Sequence, residues 1–118
     1  MQQTDLPLPM PRATQRAALL HVLARDHTGR ERGIRAVDLA RKVGIDERTL
    51  RTLVTTLRDD GTAVVATPET GYYVAEAPDE IEECCQFLRS RALKSLLLES
   101  RLRNVPLPDL LGQIRLPT

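Results

Sequence analysis

Tryptophan is absent, and the only other aromatic residues are two tyrosines and one phenylalanine. The core must therefore come from Leu, Val, Ile and Ala. No run of about 18 apolar residues occurs, so no membrane span and no membrane partner are expected. The opening residues, MQQTDLPLPMPR, lack a basic stretch followed by an apolar one, so a secretory signal is not expected. A cytoplasmic, nucleoid-associated protein is the resulting expectation. The two cysteines, Cys84 and Cys85, are adjacent, and no further Cys or His stands near them. Metal sites need spaced thiolates, and a bond between neighbouring cysteines is strained. Buried, reduced thiols at a helix–core contact are expected, with a redox sensor as the alternative. His21 and His27 are six residues apart and do not share a metal-binding helix face. The chain has no phosphate loop, dinucleotide fingerprint or nucleophile elbow. Neither catalysis, a cofactor nor a metal is expected.

The formal net charge of the 118 residues is +1, which hides a strong partition. Residues 30–58 carry eight Lys/Arg against four acids, and residues 59–83 carry eight acids and no Lys or Arg. Residues 84–118 are again basic, with six Lys/Arg against two acids. A basic block suits phosphate neutralisation. The plainer alternative is that these charges only solvate helix surfaces.

The basic block contains Val37–Gly61, VDLARKVGIDERTLRTLVTTLRDDG. Leu39, Ala40 and Val43 line one face of a helix that Gly44 can end. Ile45 plugs the corner, and Asp46 is an N-cap for the next helix. Leu50, Leu53, Val54 and Leu57 repeat at helical spacing. The opposite face carries Arg48, Arg51, Thr52 and Thr55. This is the pattern of a helix-turn-helix whose second helix, 46–59, enters a major groove. Arg48 and Arg51 suit bidentate contacts to guanine, and Thr52 and Thr55 suit thymine methyls or phosphates. Arg35, Arg41, Lys42 and Arg58 are placed as backbone anchors. The alternative is that Arg48 and Arg51 pair with Asp46 or Glu47.

Around this motif, residues 1–11 with Pro7, Pro9 and Pro11 read as an arm. Arg12 to about Asp26 reads as a first helix, and 27–33 as a polar loop. Ile34 suits a very short strand. Ala63–Ala66 and Tyr72–Ala75 are β-prone runs around a turn cluster, Thr67–Gly71, which together make a hairpin. The expected fold is mainly α with a small β-hairpin: a winged helix-turn-helix over 12–77, then a long helix over 78–104 and a tail over 105–118. The stretch DERTLRTLVTTLRDDGTAVVATPETGYYVAE resembles the recognition helix and wing of bacterial and phage winged helix-turn-helix proteins. Its GYYVAE end, followed by a long helix, is similar to small phage or mobile-element DNA-binding proteins. The resemblance spans about residues 12–76 and implies double-stranded DNA as partner and transcriptional regulation as role. One departure stands out: the wing tip carries Glu69 and no base, leaving Thr67, Thr70 or backbone amides for wing contacts.

In the long helix, Pro78 suits the first position, and Asp79, Glu80, Glu82 and Glu83 complement the helix dipole. Ile81, Cys84, Cys85 and Leu88 are expected to pack on the domain. Leu93, Leu96, Leu97, Leu98 and Leu102 cover more surface than a small domain can bury, which points to a homodimer; a helix folded back on its own core is the alternative. The tail VPLPDLLGQIRLPT, with Pro106, Pro108 and Pro117 around Leu110, Leu111 and Ile114, either drapes over the partner subunit or docks another protein. A winged protein–protein adaptor and a DNA-binding factor of mobile-element replication or packaging are the rival functions.

Overall fold

The computed structural model describes residues 10–114. Most of the expected arm, with Pro7 and Pro9, and the end of the tail, with Pro117, lie outside these residues. The elements run α1 (Arg12–Asp26), a single 3-10 turn (Arg30–Arg32), α2 (Ala36–Val43), α3 (Glu47–Asp59), β1 (Val64–Thr67), β2 (Gly71–Val74), α4 (Pro78–Arg103) and α5 (Leu107–Gln113). Three helices followed by an antiparallel hairpin make a winged helix-turn-helix, with the long helix after it. Two compact units divide within α4, between Cys84 and Cys85.

In the first unit, the apolar spacing seen in the sequence becomes the core. Leu19 and Leu23 of α1, Leu39, Ala40 and Val43 of α2, and Leu50, Leu53, Val54 and Leu57 of α3 are buried together with Val64 of β1. Residues three or four apart share a helix face, so each helix contributes one stripe. The turn between α2 and α3 is closed by Gly44, at φ 84° and ψ 37°. Its amide returns to the Ala40 carbonyl at 2.8 Å, and the Ile45 amide reaches the same carbonyl at 2.9 Å. That pair of bonds stops the helix and needs a left-handed residue, which strains any side chain with a Cβ. Ile45 then packs against the core. The Asp46 carboxylate accepts the Thr49 amide at 2.7 Å and so caps α3. That bond holds the Asp46 carboxyl below the usual aspartate range.

The wing pairs Val64 with Val74, Val65 with Tyr73, Ala66 with Tyr72 and Thr67 with Gly71. Successive side chains alternate faces, so Val64 joins the helical core. Val65 and Tyr73 form a second cluster with Cys84 of α4. Cys84 donates its thiol to the Val64 carbonyl at 3.4 Å. Burial pushes the Tyr73 phenol above its ordinary value. Its hydroxyl reaches Glu83 at 3.3 Å.

The loop after α1 is more ordered than its polar sequence implies. The amides of Gly29 and Ile34 donate to the carbonyls of Val74 and Tyr72, and the amides of Val74 and Tyr72 donate to His27 and Ile34. The loop therefore lies along the outer edge of β2. Gly33 and Gly71 allow this approach, because a Cβ on either would collide with backbone of Thr70 or Ile34.

The acidic start of α4 does more than complement its dipole. One Glu80 oxygen accepts the amides of Glu76 at 2.8 Å and Ala77 at 3.2 Å, and the other accepts the Arg30 amide at 2.9 Å. Arg30 also pairs with Asp79 and Glu83, each at 3.3 Å. The backbone amides of Glu76, Arg30 and Ala77 favour the ionised carboxyl and lower the Glu80 pKa. A carboxyl lowered by folding stabilises the protein above its unfolded pKa of about 4.3. That contribution is lost as pH falls through the lower folded value. Glu80→Gln is therefore expected to melt below the parent at pH 7, with the gap narrowing once pH falls below about 4. Thermal unfolding monitored by circular dichroism checks this; an equal gap at both pH values contradicts it.

Cys84 is buried and Cys85 exposed, which corrects the expectation of two buried thiols. Neighbouring residues on a helix point about 100° apart, and here Cys84 is the one that faces the wing cluster. Ile81 and Leu88 are also exposed.

In the second unit, Asn104 takes the left-handed conformation at φ 56°, and the Val105 amide returns to the Ser100 carbonyl at 3.0 Å. The same closure as at Gly44 thus ends α4, with asparagine in the glycine position. The tail, for which no element was expected, contains α5. Pro106 and Pro108 set φ over its first turn, where no amide donor is required. Leu110 is buried, as is Ser100 of α4.

Candidate nucleic-acid interface

Arg48, Arg51, Thr52 and Thr55 stand at relative positions 0, +3, +4 and +7 and form one stripe along α3. All four are exposed, while the opposite stripe is locked into the core. Among the described residues, the guanidinium groups of Arg48 and Arg51 form no hydrogen bond or ion pair. The Asp46 carboxylate accepts the Thr49 amide, and the Arg48 charge is a smaller influence on it. The alternative in which these arginines only pair with the start of their own helix is therefore not seen.

The threonines are held differently. The hydroxyls of Thr52, Thr55 and Thr56 donate to the carbonyls of Arg48, Arg51 and Thr52, at 3.2, 3.2 and 3.1 Å. This bonding one turn back fixes the side chains. What Thr52 and Thr55 present outward is a methyl group and oxygen lone pairs, a set suited to thymine methyls and amino donors of bases.

The four expected backbone anchors separate. Arg35 precedes α2 and donates to the Pro68 carbonyl, tying α2 to the wing turn. Lys42 approaches Asp26 at 3.4 Å and the His27 ring at 3.0 Å. Arg25, then Lys42, holds the Asp26 carboxyl down at about 2. Arg58 donates to the Val64 carbonyl at 2.8 Å, joining α3 to β1. Arg41 keeps only a loose contact to Asp38, 3.4 Å away, and 75% of its side chain is exposed. So three of the four expected anchors serve the fold, and Arg41 is the most available.

The wing tip is also closed. Thr67 and Thr70 hydroxyls meet at 2.6 Å, the Thr70 amide donates to Thr67, and Thr70 donates to the Gly71 carbonyl. The threonines expected as wing contacts are spent on the turn itself. Members of the acidic block are likewise engaged, Asp60 with Arg16 and Asp79, Glu80 and Glu83 with Arg30.

Sequence reasoning missed one cation beside α3. Arg12, Ala13 and Arg16 of α1 lie against Thr52, Leu53 and Thr56 of α3. Nothing in the local sequence links the start of α1 to α3; only the helix crossing does so.

The leucines expected at a dimer contact lie on α4. Leu93, Leu96 and Leu97 follow the 0, +3, +4 spacing of one face, and Leu98 and Leu102 lie one turn apart on another. Leu98 and Leu102 are 55% and 79% exposed. Among the described residues no group of His, Cys, Asp or Glu could hold a metal ion. No helix there is long and apolar enough to cross a membrane.

No protein-family model matches the chain, and no curated protein matches it. Among solved structures, a GntR family transcriptional regulator from Listeria monocytogenes is similar, at 13% sequence identity and a TM-score of 0.42. The match covers 92% of this chain and 95% of that one.

Proposed function

We propose that this protein is a sequence-specific double-stranded DNA-binding regulator of transcription that reads the major groove with α3. The observation that carries the reading is the pair Arg48 and Arg51, unpaired among the described residues on the exposed stripe of a helix whose other stripe is fixed in the core. A guanidinium free of internal partners keeps its fork of donors for guanine O6 and N7. Residues 12–77 serve as the DNA-binding domain and residues 78–104 as the dimerisation helix. The protein works in the cytoplasm on the nucleoid, without metal, cofactor or catalytic step. Its type is that of phage and mobile-element regulators, on the resemblance of its recognition helix and wing.

A single recognition helix with a closed wing that carries Glu69 and no base binds weakly, so the reading includes a second copy of the chain. Two recognition helices on one face of DNA match a palindromic site. The exposed Leu98 and Leu102, with Leu93, Leu96 and Leu97, supply the contact, and the tail either crosses to the partner subunit or docks another protein. Sedimentation at micromolar concentration should give twice the 13.2 kDa chain mass. Leu98→Glu with Leu102→Glu should give the chain mass and weaker DNA binding. A monomeric parent contradicts the dimer. Glu69 at the wing tip is the observation on the side of a protein-binding adaptor. Equilibrium binding of the full chain to duplex DNA over a salt series separates the two: the regulator binds with a steep salt dependence, and the adaptor does not bind.

A further inference from the structure

A cleft of about 280 Å³ runs beside α3, lined by Arg12, Ala13, Arg16, Thr52, Leu53 and Thr56. Ala13 and Leu53 give it an apolar surface, and the two arginines give it charge. Arg16 is held by Asp60. Arg12 is exposed, and its guanidinium bonds Gln15 of its own helix at 3.1 Å, a neutral partner that leaves its charge intact.

We infer that this cleft seats a segment of DNA sugar–phosphate backbone, with Arg12 contacting its phosphate, so that the footprint of α3 extends onto α1. The inference rests on the DNA-binding reading above and adds a second element to it. A deoxyribose–phosphate unit pairs an apolar sugar with an anion, and the cleft pairs Ala13 and Leu53 with Arg12 in the same way. The cleft also adjoins the reading face, because Thr52 belongs to both. A helix in a major groove has a backbone strand along each flank, and α1 is the element on the Thr52 flank. Arg12 further supplies what the expected anchors do not, since Arg35, Lys42 and Arg58 are bonded within the fold. Asp60 pairs with Arg16, so the charge left to the cleft is that of Arg12.

Backbone contacts set register without reading sequence, which gives Arg12 a signature distinct from that of Arg48 and Arg51. The test compares the full-length parent, Arg12→Ala and Arg12→Lys on a selected duplex and on a scrambled one, over a salt series. Arg12→Ala should weaken both duplexes by the same factor, roughly tenfold at 0.1 M salt, and reduce the salt slope by about one. Arg12→Lys should keep the slope. Circular dichroism confirms that each variant is folded. Duplexes in which one backbone phosphate at a time is a neutral methylphosphonate provide a second reading on the parent. One position should weaken the parent and leave Arg12→Ala unaffected. A parent that binds DNA while Arg12→Ala keeps its slope overturns the inference alone, as does a loss confined to the selected duplex. A parent that binds no duplex overturns the DNA-binding reading and this inference with it. Arg12-dependent capture of an acidic peptide by such a parent would assign the cleft to protein.

Discussion

Replacing Arg48 and Arg51 together by alanine is expected to weaken binding to a selected duplex by about 2–6 kcal/mol, since each lost bidentate base contact costs about 1–3 kcal/mol. The loss should concentrate on that duplex, and discrimination against a scrambled one should fall with it. Both side chains are exposed and unpaired among the described residues, so their removal leaves the fold untouched. Surface substitutions of that kind change stability by no more than about 0.5 kcal/mol. Fluorescence anisotropy on both duplexes, with thermal unfolding of the same samples, checks the two halves of this expectation. Unchanged affinity for the selected duplex refutes the reading face. Lost affinity accompanied by a lowered melting temperature would move these residues from recognition to structure.

Gly71→Ala is expected to destabilise the fold strongly. Gly71 sits at φ 74°, where a Cβ is strained by about 1–2 kcal/mol. The added methyl would also meet the Ile34 carbonyl and the Arg35 amide, which are backbone atoms and cannot turn aside. Forcing such an overlap apart costs about 1–3 kcal/mol more. The expected loss is therefore roughly 2–5 kcal/mol, through separation of β2 from the loop that carries Ile34. Gly44 is the internal control. It has a similar φ of 84°, yet a Cβ there meets nothing within 4 Å. Gly44→Ala should lose only the strain. Urea unfolding of both variants ranks them, and equal losses would show that the close approach at Gly71 carries no cost.

The parts of this fold that were legible in the sequence are those set by neighbours in the chain. The stripe of Leu50, Leu53, Val54 and Leu57, the stop at Gly44 and the cap at Asp46 each depend on residues within a turn or two. The structure reproduces them, with α3 beginning directly after Asp46. The limits of α1 and α4 follow from the same local rules. What could not be read depends on contacts distant in sequence. The edge bonds between residues 27–34 and β2 make a polar loop part of the wing, and no local pattern announces them. The same applies to the candidate interface. The α3 stripe was readable because one helix presents it. The fates of Arg35, Lys42 and Arg58 were not, since their partners Pro68, Asp26 and Val64 are brought to them by folding. Arg12 was overlooked for the converse reason: its place beside Thr52 exists only once α1 crosses α3. The helix α5 was not read in the Pro-containing tail, though proline is well suited to a first turn.

Selection of bound sequences from a random duplex pool, using the full chain, tests the central claim most directly. The account predicts enrichment of an inverted repeat with guanine in each half-site and half-site centres about 10–10.5 base pairs apart or a multiple of it. Recovery of the input pool with no enriched sequence would contradict it.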